Sequence, residues 1–156
     1  MKIVQIPNGA FVENTYLVID EAAAQCAVID PGEEADRILH EIAGAGARPT
    51  AIWITHAHLD HVMGVARVRR ETAAPVYLHP ADRELYDRAV QQGFAFGVAV
   101  ERPPSRFGVS CEAASPYRLR RNASLNERWA PAVQVASWMR QARTRQSSAS
   151  NASARR

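Results

Sequence analysis

The chain has 156 residues, 47% of them hydrophobic, and 19 basic against 16 acidic side chains give a net charge of +3. That length suits a single domain with a core of its own. No run approaches the roughly 20 apolar residues of a membrane span, and the start Met1-Lys-Ile-Val-Gln-Ile-Pro7 lacks the apolar stretch of a secretory leader, so a soluble cytoplasmic protein is expected, with no membrane partner.

Lys2 to Ile6 and Thr15 to Ile19 are β-rich runs separated by a loop containing Asn8-Gly9. A polar turn at Asp20-Glu21 leads to a third run, Cys26 to Ile29, and the three read as a small antiparallel meander. Asp30-Pro31-Gly32 then breaks the strand. Glu33 and Glu34 sit where a helix N-terminus favours negative charge, and Ala35, Ile38, Leu39, Ile42 and Ala43 follow at helical spacing up to Gly44. A short strand, Ala51 to Ile54, comes next.

Residues Thr55 to His61 read Thr-His-Ala-His-Leu-Asp-His, three of the five histidines of the chain and one aspartate in seven positions. Imidazole and carboxylate together are a ligand set for zinc, in one or two ions, with iron or manganese as alternatives. Alternate side chains of an extended stretch point the same way, so His56 and His58 can converge on one ion while Ala57 turns aside. Asp60 and His61 fall past the turn and can face a second ion. A helix is expected from near His61, with Val62, Val65 and Ala66 on its apolar side. Val76 to Leu78 reads as a strand, and Ala81 to Gln92 as a helix that Pro80 starts and Gly93 stops. The order β-β-β-α-β-α-β-α predicts an α/β layered domain. His40 reads as a solvated helix position, His79 as a structural or supporting side chain, and Trp53 as core.

Residues 1–102 carry nine basic and fourteen acidic side chains, a net of −5, whereas 103–156 carry ten arginines and two acids, a net of +8. All nine serines lie from Ser105 onward. The expected boundary is therefore at 102, followed by an irregular basic Arg/Ser-rich segment, disordered or arising from a change of reading frame. Within it, only Trp129 to Met139 has helical spacing. A basic tail attracts polyanions, but it lacks interleaved aromatics and any binding module, so nucleic acid is not the expected partner. Cys26 and Cys111 offer no Cys-x-x-Cys knuckle and read as ordinary thiols.

With the ligand window after a strand and Val28-Ile-Asp-Pro-Gly32 one helix earlier, the chain resembles the metallo-β-lactamase fold superfamily. Asn14-Thr-Tyr-Leu-Val18 and Tyr77-Leu-His-Pro-Ala-Asp82 resemble its glyoxalase II-like hydrolase branch. The resemblance implies the N-terminal half of a four-layer αββα sandwich. It implies His56 and His58 on a first zinc ion, Asp60 and His61 on a second, and Asp30 supporting the ligand loop. It further implies hydrolysis of a thioester such as hydroxyacyl-glutathione by a metal-bound hydroxide, with Asp60 orienting the nucleophile. The family's second half adds two histidines and a bridging aspartate, and here no histidine follows His79 and no aspartate follows Asp87. A truncated, catalytically inactive homologue with an incomplete metal site is therefore the alternative.

Overall fold

The computed structural model describes residues 1–105, which form one five-stranded mixed sheet with helices. Strands β1 (Lys2–Asn8), β2 (Glu13–Asp20) and β3 (Gln25–Ile29) pair antiparallel in chain order, as the two polar turns between them require. Helix α1 (Ala35–Gly44) crosses over to β4 (Arg48–Trp53), which runs parallel to β3. Helices α2 (Leu59–Val62) and α3 (Val65–Thr72) lead to β5 (Val76–Tyr77), parallel to β4. A 3₁₀ turn at Pro80–Asp82, α4 (Arg83–Asp87) and α5 (Ala89–Ala95) complete the described chain.

The sheet separates its side chains by parity. Leu17, Val28, Ile52 and Val76 lie in register across four strands and form the core with Ile38 and Ile42 of α1 and Val65 and Val68 of α3. The opposite face carries Tyr16, Ile29, Trp53 and Tyr77, the last two stacked with ring centroids 4.8 Å apart. Trp53, expected in the core, is half-buried on this second face. His40 is exposed on α1, and Cys26 is buried in β3.

Three expected helix boundaries move, each for a local reason. The helix expected near His61 begins at Leu59, so that Asp60 and His61 occupy its first turn. It then breaks at Gly64, whose amide donates to the Pro31 carbonyl at 3.0 Å. A Cβ at Gly64 would meet the Gly32 carbonyl and lie 3.0 Å from that of Pro31, so glycine alone allows this approach. The helix expected over 81–92 is a 3₁₀ turn and two short helices. Gly93 lies inside α5 rather than ending it. Gly97, at φ +69°, ends it instead: the Val98 amide donates to the Gly93 carbonyl and the Gly97 amide to that of Phe94, a Schellman pattern.

Glu33 and Glu34 act back on the β1–β2 loop rather than only at the helix end. Their carboxylates accept from the amides of Ala10 (3.0 Å) and Gly9 (3.2 Å). Arg37, with the Gly9 amide, holds the Glu34 carboxyl below its ordinary range. The serine-rich segment and the helix expected at Trp129 to Met139 lie outside the described residues.

Candidate metal centre

The candidate residues gather past the ends of β3 and β4, so the parallel pairing of these two strands sets their positions. Asp30 follows β3 and takes φ +49°, a left-handed conformation that aspartate tolerates better than most residues. Its carboxylate accepts from the Thr55 amide (2.7 Å) and the Thr55 hydroxyl (2.5 Å), tying the start of the ligand loop to the neighbouring strand end. Thr55 Oγ1 also lies 3.1 Å from His56 Nδ1. Because Oγ1 gives its one hydrogen to Asp30, it meets His56 as an acceptor, which places a hydrogen on Nδ1 and leaves the lone pair on Nε2.

That lone pair points into the cluster. His56 Nε2 is 3.0 Å from His58 Nδ1, and the His56 ring centroid is 4.0 Å from that of His61. His61 is buried, with Nδ1 3.0 Å from Asp30 Oδ2 and 3.7 Å from Glu13 Oε1, and Nε2 3.4 Å from Asp60 Oδ2. A carboxylate behind one imidazole nitrogen leaves the other as ligand and fixes the ring. Two nitrogens held about 2.0–2.1 Å from one tetrahedral zinc stand roughly 3.3 Å apart, so the imidazole separation fits a shared ion.

Glu13 is the residue that sequence reading missed. It sits at the start of β2, and its side chain is buried with Asp30 and His61 in a group whose ligand atoms lie within 4.8 Å of one another. Glu13 Oε2 accepts from Asn8 Nδ2 at 3.1 Å. Burial first, then the charge of Asp30, push the Glu13 carboxyl up to about 9, against the pull of the Asn8 hydrogen bond. Thr15 completes the support: its hydroxyl donates to the Asp30 carbonyl (2.6 Å) and accepts from Asn8 (2.9 Å) and the Gly32 amide (3.2 Å). A Cβ on Gly32 would lie 2.6 Å from Glu13 Oε2 and 2.8 Å from the Asp60 carbonyl, leaving no space for one. In the sequence Glu13 falls in the loop before the β-rich run Thr15 to Ile19, where nothing sets it apart.

His79 stands apart from the cluster. It is exposed, and its Nδ1 accepts from the Ala81 amide at 3.2 Å, capping the 3₁₀ turn. Among the described residues no helix is long and apolar enough to cross a membrane.

Comparison with known proteins agrees with this arrangement. The probable metallo-hydrolase YqgX of Bacillus subtilis (strain 168) is 36% identical over 107 residues, covering 67% of this chain and 50% of that protein. A hydroxyacylglutathione hydrolase of Klebsiella pneumoniae is 37% identical over 128 residues, covering 75% of this chain and 49% of that one. The chain thus spans about half the length of these curated relatives. Among solved structures, TTHA1623 in a di-iron-bound form is similar with a TM-score of 0.61 and 39% identity, over 67% of this chain and 52% of that one. The B3 metallo-β-lactamase BLEG-1 gives 0.58 and 26%, over 69% and 53%. The sequence pattern of the Metallo-beta-lactamase superfamily matches residues 8–129, and the chain belongs to that superfamily.

Proposed function

We propose that the chain carries the metal-ligating half of a hydrolase of the glyoxalase II-like type, acting on a small-molecule thioester such as hydroxyacyl-glutathione. The observation that carries this reading is the 3.0 Å approach of His56 Nε2 to His58 Nδ1, with His61 backed by Asp30 beside them. His56 and His58 would hold one ion, and Asp60 and His61 a second, as zinc or, as in the di-iron-bound relative, iron. When bound, such ions supply Lewis acidity and lower the pKa of water towards about 7. The chain's own residues supply position. Asp30 sets the Thr55 backbone and the His61 ring, Thr55 sets the His56 tautomer, and Asp60 offers a carboxylate that orients the attacking water. The thioester class is supported by the Klebsiella relative, and the fold alone would admit other esters and lactams.

A second reading, a catalytically silent chain with an incomplete ligand set, is favoured by the absence of histidine after His79 and aspartate after Asp87. Four ligands on one loop leave two ions under-coordinated, so this reading expects at most one loosely held ion. Elemental analysis of the purified chain, combined with a thioester hydrolysis assay, separates the two. Two tightly held ions with turnover support the hydrolase. One weakly held ion without turnover supports the silent chain. No metal retained at all, by a chain that is folded, defeats both.

A further inference from the structure

Ala57, between the two histidines of the H-x-H repeat, is fully buried, so its peptide groups need protein partners. Both partners come from one distant segment. The Ala57 amide donates to Asp82 Oδ1 at 3.3 Å, and its carbonyl accepts from Gln92 Nε2 at 3.1 Å. Neither partner is loosely placed. Asp82 ends the 3₁₀ turn, its amide bonded to the His79 carbonyl at 2.9 Å. Gln92 lies on α5 and gives its second hydrogen to the Leu85 carbonyl at 2.9 Å, so α4 and α5 are fixed together as it reaches the loop. Both side chains are half-buried, which shields these bonds from water.

The direction in which the Ala57 peptide faces decides whether His56 and His58 point to the same side, since alternation across one residue is what brings the two rings together. We propose that Asp82 and Gln92 are positioning residues for the ligand pair His56 and His58, gripping the intervening peptide from both sides. The inference rests on the metal reading above and assigns a role to a segment that contributes no ligand itself. It also explains why Gln92 is an amide. A carboxylate there would face two carbonyl oxygens with no hydrogen to give.

The test uses the full chain and cobalt(II), whose visible absorption reports ligand geometry. D82A and Q92E should lower cobalt affinity about tenfold and alter the absorption, the lower end of the range for residues that orient ligands. D82N keeps an acceptor oxygen and should stay within about twofold of the parent. Wild-type affinity and spectrum in both D82A and Q92E would overturn the proposal, as would D82N falling as far as D82A. A parent chain that binds no cobalt defeats the metal reading separately, and hydrogen exchange then decides the clamp. The Ala57 amide should exchange about tenfold faster in D82A than in the parent or D82N, while Val18 and Val28 in the sheet stay unchanged. Equal Ala57 rates would overturn it.

Discussion

Asp30 shows how much of the site depends on a residue that need not touch metal. One carboxylate meets a backbone amide, a hydroxyl and an imidazole, three groups from two residues of a window that is far from it in sequence. Replacing it by asparagine removes the charge and turns at least one donor towards other donors. D30N should cost about 2–3 kcal/mol of stability, the penalty for leaving buried hydrogen-bonding groups unsatisfied, read as a lower urea midpoint with an unchanged slope. The candidate ligands His56, His58, Asp60 and His61 could be proposed from the sequence, because histidine and aspartate at H-x-H-x-D-H spacing after a strand have few structural explanations. Glu13, Asp82 and Gln92 were not, since each acts through contacts with residues 25 to 48 positions away.

At the scale of elements, alternation and helical spacing located the five strands of the described residues and α1, with ends shifted by a residue or a few. The failures cluster at glycines. Gly93 and Gly97 both look like helix stops, and only the pairing of Val98 and Gly97 with the last turn of α5 selects the second. Gly64 has the opposite problem, interrupting a helix because a neighbouring turn claims its amide. A Cβ added there would run into the backbone carbonyls of Gly32 and Pro31, which cannot yield as the end of a flexible side chain could. Gly64→Ala should therefore destabilise the chain by about 3 kcal/mol or more, at the severe end for single substitutions. Thermal unfolding checks this, and α3 should separate from the Asp30-Pro31-Gly32 turn in the variant, seen as faster exchange of the amides at positions 64 and 68.

For the molecule as a whole, the α/β class followed from element order, whereas the extent of the match, about half the length of the curated relatives, became measurable only by comparison with them. The buried sheet also carries a pH signature. Burial pushes the Cys26 thiol up from 9.0 to about 11, so the fold holds it neutral where an unfolded chain would ionise it. Its contribution to stability is complete below pH 9 and is lost as pH rises towards about 11. In Cys26→Ala the fall in stability across that window should be shallower than in the parent, measured by urea unfolding at stepped pH. The ligand loop has a different consequence, one of timing. Its histidines are neighbours in sequence, but the residues that aim them are spread from Glu13 to Gln92. A growing chain would expose the H-x-H-x-D-H segment well before α5 exists to grip it. On the metal reading proposed above, the order of synthesis separates the moment at which an ion can first be met from the moment at which its geometry is enforced.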